Sequence, residues 1–438
     1  MKGWTEVARA VRAMDPFHRL LTLHPTAINR LSARNVTEDV SLLDFDMLQT
    51  PHGQRGAVRP TVQAVRQSYA DSPVLPVING EPAYEMLNDT LPTEWSRQMF
   101  WLCMMNGAAG HTYGANGIWQ VNRKGQPHGP SPYHTSSNVG YGVIAWDEAM
   151  HLPGSGQVAH GRRLFERYRW QDFQPHPEWA EFTDKSPFDF GRARWIWTNE
   201  GTPGQDAPAG KRWFRRAFDL PEGKPVRYAQ LYVAADGPFS TRLNKRSVGS
   251  GEGAILCATF YNLAPQLLPG RNVLAISSEN SPAEGKNPAG LIARLNITFT
   301  DGTTMVVQSD DTWVTHPAEV KEWDTVAFDD SAWTRAASVA AYGAAPWGKV
   351  GRPTNNDIFG PQSTGLKDGV RLTYVPVSAT IRVSGLPPGS AFRAGYFDPV
   401  TGKENALGEL KADTTGSALV PPPQGSEGDW VLVWEPKR

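Results

Sequence analysis

The chain has 438 residues, with 43 lysines and arginines against 44 aspartates and glutamates. This length predicts about two to four domains, and a net charge of -1 gives no electrostatic basis for a nucleic-acid or anionic-membrane partner. No run approaches the roughly 20 apolar residues that a membrane-spanning helix needs, and the first segment, MKGWTEVARAVRAMD, lacks an apolar secretory core. We therefore expect neither a nucleic acid nor a membrane among its partners.

The first part of the chain alternates predicted helices with predicted strands. Apolar residues at helical spacing predict helices in TEVARAVRAMD, RPTVQAVRQSYAD, TEWSRQMFWLCMMNG and GSGQVAHGRRLFERYRW, with Thr93 as the cap of the third. Short apolar runs predict strands near residues 20–24, 42–46, 74–79 and 110–114. Because helices alternate with strands, the pattern indicates a parallel sheet.

Polar side chains cluster just after these predicted strands. They are His24, Asp44, Asp46, Gln49, His52, Asn79, Glu81, Glu85, His111 and Tyr113. In a (β/α)8 barrel the carboxyl ends of the strands form the catalytic face, and four strands are half of such a barrel. The placement is therefore typical of a catalytic rim.

The rest of the chain is predicted to be β-structure. From residue 194 to about residue 348, short alternating runs separated by turn signals predict a sandwich of jelly-roll type. The linker GKVGRPTNND leads to a last small β-domain. We expect an α/β domain over residues 1–186, a galactose-binding-like sandwich over residues 187–352 and a small β-sandwich over residues 353–438. No disulfide is expected, since Cys103 and Cys257 fall in different domains.

Several motifs carry a resemblance to known families. LLDFDMLQTPHG, PVINGEPAYE and MFWLCMMNGAAGHTYGANGIWQ, followed by AWDEAMHLPGSGQVAH, resemble the apiosidase-like (β/α)8 glycoside hydrolases over about residues 3–180. Residues 193–348, with ARWIW, FRRAFDL, LLPGRNVLAI and FDDSAW, look like the β-sandwich accessory module of bacterial α-L-rhamnosidases. The tail, with YFDPVTGK and GDWVLVW, resembles the small β-domain that closes apiosidase-like chains and carries a collagen-binding label, which we take only as a name.

The resemblance implies a fold of the α/β plus all-β class that contains about strands 5–8 of the barrel. It implies a glycoside hydrolase that acts on plant cell-wall or pectic glycan and lies outside the cell or in the periplasm. Glu81 falls on the nucleophile position of the seventh barrel strand, because it ends the strand VLPVIN and follows Asn79 and Gly80. The acid/base belongs to the fourth strand, which precedes TEVARAVRA in the family. We therefore expect little activity from this chain alone, and self-association through an open half-barrel.

Beside Glu81, ten residues are predicted to bind substrate. They are His24, Asp46, Gln49, His52, Asn79, Tyr84, Glu85, His111, Tyr113 and Trp119. His111 and Tyr113 share one side of the strand GHTYG, whose glycines let a ligand approach closely. A structural role is the alternative throughout: Glu81 as a strand-end acceptor, Asp46 as a strand-edge partner, Glu85 as an orienting group, Trp119 as a core residue, and His24 and His52 as satisfied loop residues.

Two wider alternatives are a metal site and a protein that binds carbohydrate without cleaving it. The histidines lack metal-ligand spacing such as HxxxH, so we expect no metal and no cofactor. Glycosidic cleavage usually needs two carboxyl groups, of which one protonates the leaving oxygen while the other stays ionised. Only Glu81 fits one of these roles well, so a non-catalytic carbohydrate-binding protein, the relic of a truncated reading frame, is the second hypothesis.

Overall fold

A computed structural model describes residues 1–26, 31–53, 55–87, 91–125, 142–253, 255–260, 263–351, 358–367 and 369–436. The chain divides into two compact units, Met1–Asp184 together with Pro353–Arg438, and Lys185–Arg352. The first unit thus contains residues from both ends of the chain. Across the described ranges, every helix is too short or too polar to cross a membrane.

The α-helices of the described ranges all lie in the first unit. Four of them match the predicted helices, and one short helix was not predicted. They are α1 (Lys2–Met14), α2 (Arg55–Ala70), α3 (Thr93–Met105), α4 (Trp146–Ala149) and α5 (Pro153–Phe165). The predicted Thr93 cap is wrong. Pro92 precedes the first turn of α3 and makes no capping bond with its side chain, whereas the Thr93 hydroxyl donates to Glu85 instead.

Three parallel strands form the sheet of the α/β part, β1 (Asp46–Gln49), β2 (Val77–Glu81) and β3 (Gly110–His111), in that order. Asn79 in the middle strand lies opposite Leu48 on one side and His111 on the other. A register shift after Leu48 places Gln49 opposite Glu81. The carboxyl ends of the three strands therefore meet at one edge, as the parallel pattern predicted.

The strand predicted at residues 20–24 is wrong, and the next predicted strand is displaced. The carboxylate of Asp44 accepts the Leu21 amide at 2.6 Å, and the Asp44 amide donates to the Leu21 carbonyl at 2.9 Å. A side chain thus takes the place of a ladder hydrogen bond. Residues Val40–Leu42 form a 3-10 turn opened by Asp39, so β1 begins only at Asp46. The described sheet therefore has three strands where four were expected.

The second unit is a β-sandwich of two antiparallel six-stranded sheets. Trp197 of one sheet packs against Phe214 of the other, with ring centroids 5.2 Å apart. The jelly-roll connection stays a prediction. The strands are β6 (Arg194–Trp197), β7 (Gly210–Asp219), β8 (Val226–Ala235), β9 (Phe239–Leu243), β10 (Arg246–Gly251), β11 (Ala258–Phe260), β12 (Arg271–Asn280), β13 (Leu291–Phe299), β14 (Thr304–Gln308), β15 (Val314–His316), β16 (Thr334–Arg335) and β17 (Ala337–Ala341). One sheet runs β10-β9-β12-β7-β15-β16, and the other runs β11-β8-β13-β6-β17 with β14 beside β13.

The C-terminal strands form two sheets that also recruit strands from before the sandwich. These strands are β18 (Gln362–Gly365), β19 (Arg371–Val375), β20 (Ile381–Val383), β21 (Ala391–Phe397), β22 (Glu404–Lys411), β23 (Ala418–Val420) and β24 (Trp430–Pro436). Strand β4 (Gln174–Pro175) ends the sheet β22-β21-β24-β19-β18-β4, and β5 (Ala180–Phe182) ends the sheet β23-β20-β5. The predicted boundaries at residues 186 and 353 did not anticipate this sharing.

Helix α3 lies between the small parallel sheet and the C-terminal strands. Its Trp101 stacks on Tyr374, with centroids 5.9 Å apart and planes 4° from parallel. Its Arg97 donates two hydrogen bonds to Asp429, at 2.8 and 2.9 Å, and both side chains are buried. The C-terminal β-structure therefore shares one core with the α/β part.

Candidate active site

Glu81 ends β2 inside a ring of three polar side chains. His24 Nε2 lies 2.9 Å from one carboxylate oxygen, and His52 Nε2 lies 3.3 Å from the other. The hydroxyl of Tyr84 is hydrogen-bonded to the same carboxylate. Glu81 is only 18% exposed at its side chain. The strand register and the following turn thus bring four of the predicted site residues together.

Each ring nitrogen of His24 faces an oxygen atom. Its Nδ1 lies 3.0 Å from the carbonyl oxygen of Pro25, while its Nε2 lies 2.9 Å from a carboxylate oxygen of Glu81. A neutral imidazole donates from one nitrogen only, so the tautomer of His24 determines which of the two oxygens accepts its N–H.

His52 and Tyr84 complete the surroundings of Glu81. Burial lowers the pKa of His52, and the negative charge of Glu81 opposes that effect. Burial raises the pKa of the Tyr84 hydroxyl, and the charge and hydrogen bond of Glu81 raise it further. The two rings lie 4.9 Å apart. At neutral pH the phenol of Tyr84 is therefore protonated and donates to the Glu81 carboxylate.

Glu85 is buried behind this ring and its carboxylate is surrounded by donors. Tyr113 donates to it at 2.5 Å, the amide of Gly154 at 3.0 Å, and the hydroxyl of Thr93 also donates. These contacts join Glu85 to β3, to the first turn of α5 and to the first turn of α3. They favour the orienting role over substrate binding, although both remain predictions for Glu85 and Tyr113. Thr93 and Gly154 are the partners that sequence reasoning missed, since neither stands near Glu85 in a recognisable motif.

Asp46 begins β1 and points into the protein interior. The Ser32 hydroxyl donates to its carboxylate and lies 2.7 Å from both oxygens, and Arg34 and Ser68 also donate to it. The side chain is fully buried. Because Asp46 lies at the start of its strand, it is distant in register from the carboxyl-end edge where Glu81 lies. These contacts favour the structural alternative for this residue.

Asn79 and His111 lie side by side in the sheet. The Asn79 amide donates to Thr50 Oγ1 at 3.2 Å and to Cys103 Sγ at 3.5 Å. The His111 ring packs edge-on against Phe100, with centroids 5.7 Å apart. Burial lowers the pKa of His111 to about 3, so the ring is neutral at physiological pH. Trp119 is about half exposed, which suits a surface that stacks on a sugar ring.

Within the described ranges, no group of three or more His, Cys, Asp or Glu side chains is placed to hold a metal ion. The group that this site offers for chemistry is the Glu81 carboxylate, which faces two imidazoles and a phenol. Such a group acts as a nucleophile or as a general base.

Parts of the chain match a protein-family model and a curated protein. Residues 1–172 match the family model described as the apiosidase-like catalytic domain. An alpha-L-rhamnosidase of Streptomyces avermitilis is 35% identical over 163 residues, which is 36% of this chain and 15% of that protein. The chain thus corresponds to a small part of the length of this curated relative. The two matches support a glycoside hydrolase.

Solved structures show partial likeness. The Streptomyces avermitilis alpha-L-rhamnosidase complexed with L-rhamnose aligns with 59% of this chain and 25% of its own, at 22% identity and a TM-score of 0.37. A glycoside hydrolase family 5 protein from Bacteroides vulgatus aligns with 99% of this chain and 58% of its own, at 15% identity and a TM-score of 0.48. A lectin from Pleurotus ostreatus in complex with GalNAc aligns with 59% of this chain and 78% of its own, at 22% identity and a TM-score of 0.40.

Proposed function

We propose that this protein is a glycoside hydrolase in which Glu81 is the nucleophile and plant pectic glycan the substrate class. The observation that carries the assignment is the ring of His24, His52 and Tyr84 around a strand-end carboxylate. General acids in glycosidases need a raised pKa, which an apolar or acidic environment supplies. The groups around Glu81 are polar instead: a phenol that donates to the carboxylate and two imidazole nitrogens, at 2.9 and 3.3 Å, and none of them is acidic.

In the proposed reaction, a Glu81 oxygen attacks the anomeric carbon while the glycosidic oxygen leaves with a proton from a carboxylic acid. The bond between the anomeric carbon and Glu81 is then broken by water, which returns Glu81 to its ionised form and gives that acid its proton back. Glu85 is not assigned as the acid, because Tyr113, Thr93 and Gly154 already donate to its carboxylate.

The β-structures are proposed to hold the glycan or to support the α/β part. A family match in the first unit and carbohydrate-active relatives support a carbohydrate partner. The alternative is a carbohydrate-binding protein without hydrolysis. One measurement distinguishes a glycoside hydrolase from a carbohydrate-binding protein. The binding protein retains pectic polysaccharide on an affinity gel without releasing sugar from it.

Substitution of Glu81 by glutamine tests the proposal. Glu81→Gln keeps the shape of the side chain and removes its charge, so hydrolysis of an aryl apioside or of pectic side chains should fall by at least about 1,000-fold. Polysaccharide binding should persist. The matched control is Glu148→Gln on the surface of α4, which should hydrolyse normally. Equal turnover of the aryl apioside by the Glu81→Gln variant and the unmodified chain would refute the nucleophile assignment.

A further inference from the structure

Helix α1 turns an apolar face away from the molecule. Trp4, Val7, Val11 and Met14 follow one another at intervals of three and four residues, so they lie on one side of the helix. All four are exposed, whereas Thr5 and Ala8 on the adjoining side of the helix are buried. An ordinary surface helix has the reverse arrangement. The part of the chain that the structure describes leaves this face uncovered.

The two arginines of α1 are hydrogen-bonded to the same molecule. Arg9 donates to Asp39 at 3.1 Å, and Arg12 donates to the Leu42 carbonyl at 2.8 Å and to Asp44. A helix that lies on a lipid surface presents lysine or arginine beside its apolar face. Because these two arginines already have protein partners, the geometry favours a protein surface over lipid.

A groove continues the apolar face beyond the end of the helix. Its volume is about 610 Å³, and its walls include Val7, Val11, Met14, Leu20 and Leu21. Phe17 and Leu20 stand exposed at this end, at 68% and 76%. A large apolar side chain from outside would fit such a concave site.

We propose that the occupant of this face is α1 of a second copy, packed antiparallel about a two-fold axis. The four apolar positions are symmetric about residue 9, so antiparallel pairing sets Trp4 opposite Met14 and Val7 opposite Val11 of the other copy. Trp4 then enters the groove beside Met14 and Leu20. The dipoles of the two antiparallel helices also attract each other. The same patch serves both copies, which is what a closed two-fold interface requires.

The exposed apolar area is sufficient for such a dimer. Trp4 is 59% exposed and Met14 81%. With full side-chain areas of roughly 150–250 Å² for aromatic residues and roughly 60–120 Å² for aliphatic ones, the face with Phe17 and Leu20 offers roughly 340–620 Å² per copy. Two copies bury roughly 700–1,200 Å² of side-chain surface, a range that includes the ~1,000 Å² that marks a specific interface.

The first experiment measures the mass of the 438-residue chain by light scattering during gel filtration. At about 50 μM the unmodified chain should have twice its monomer mass, which corresponds to dissociation in the micromolar range. Val7→Asp and Trp4→Ala should each weaken the dimer at least tenfold, because the first puts a charge, and the second a cavity, into the interface. The control is Val74→Asp, at an equally apolar and exposed residue outside this face, which should remain dimeric.

A second experiment tests the antiparallel arrangement. Ala10 lies next to the proposed axis, so Ala10→Cys should be joined to itself by a short bis-maleimide. Gly3→Cys lies about 18 Å from its own equivalent by the helical rise of 1.5 Å per residue, so the same reagent should not join it. Cys103 and Cys257 are buried and serve as the background.

These outcomes separate the proposal from its rivals. A dimer lost in both α1 variants, with cross-linking at residue 10 alone, supports it. A monomer at all concentrations, a dimer that survives Val7→Asp, equal cross-linking at residues 3 and 10, or a monomer that instead binds phosphatidylserine vesicles would each overturn it. None of these results depends on hydrolytic activity, so they leave the role of Glu81 to its own test.

Discussion

Helices α1 and α3 are both 13 residues long, and they lie in opposite environments. In α3, ten of the residues are buried, among them Arg97 and Trp101. In α1 only Thr5 and Ala8 are buried, and Trp4 faces outward. The strongly amphipathic helix is thus the exposed one, while the helix with apolar residues all round is enclosed. The spacing of apolar residues in a helix predicts which face is apolar. Whether that face is buried depends on the elements that pack against the helix.

The largest expected effect is the loss of the ion pair on α3. Arg97→Met leaves the buried Asp429 carboxylate without its guanidinium partner, which should lower the free energy of unfolding by about 3–5 kcal/mol. Urea titration followed by circular dichroism measures this change. The control is Arg162→Met, since Arg162 pairs with Glu166 on an exposed face and should cost under about 1 kcal/mol. Equal losses in the two variants would show that the α3 contact is not enclosed.

A tryptophan in each helix allows a direct comparison, and the larger of the two expected losses is about as large as that of Arg97→Met. Trp101→Ala removes a fully buried ring that stacks on Tyr374 and should cost about 3–5 kcal/mol. Trp4→Ala should change monomer stability by about 0.5 kcal/mol or less, because the ring is exposed. Both are measured by chemical denaturation at a protein concentration low enough to dissociate any dimer. A large loss in Trp4→Ala under those conditions would mean that α1 packs within its own chain.

The histidine beside α3 should make stability depend on pH. The pKa of His111 is lowered by burial to about 3, against an ordinary value of 6.5, so the unfolded chain binds more protons between these values. Stability should therefore fall as pH decreases from about 6.5 toward 3, by at most about 1.4 kcal/mol per pH unit. His111→Phe keeps the ring contact with Phe100 and should remove this part of the slope. Identical pH dependence in both proteins would contradict the effect of burial.

The smallest effect is expected at the centre of the α1 face. Val11→Thr replaces an exposed methyl group by a hydroxyl, and the monomer should lose under about 0.5 kcal/mol. Thermal denaturation of dilute protein gives this value. Val65→Thr in α2 is the matched buried control, and it should lose more, because its hydroxyl enters an apolar core. A loss of similar size at both positions would remove the distinction between the two environments.

Much of the α/β part could be predicted from its sequence, because its helices are long and periodic. The periodicity located α1, α2, α3 and α5 within a few residues. The prediction of a strand at residues 20–24 failed because the Asp44 carboxylate accepts the Leu21 amide hydrogen bond that a backbone carbonyl would accept in a sheet. Local hydrogen bonds of this kind compete with strands and leave no periodic signal.

The residues of the candidate site could be predicted from the sequence, but the contacts between them could not. The motif around Glu81 and the position of His52 after β1 placed these two residues at one edge, whereas His24 was assigned there through a strand that does not form. The same reasoning preferred Glu81 to Glu85 as the nucleophile and left Glu85 between an orienting and a substrate-binding role. The three-dimensional contacts favour the orienting role, since Glu85 receives hydrogen bonds from Tyr113 and Gly154, both remote in sequence.

The entry of β4 and β5 into the C-terminal sheets makes the sandwich an insertion. The chain leaves the first unit after residue 184 and returns to it at residue 353, so residues on both sides of the sandwich must meet before the first unit is whole. A folded insert keeps this closure inexpensive in entropy, because its own structure restricts the distance between the two ends. By the same topology, a single cut within the sandwich would leave both fragments joined through strand pairing, so the intact first unit would survive as a non-covalent complex.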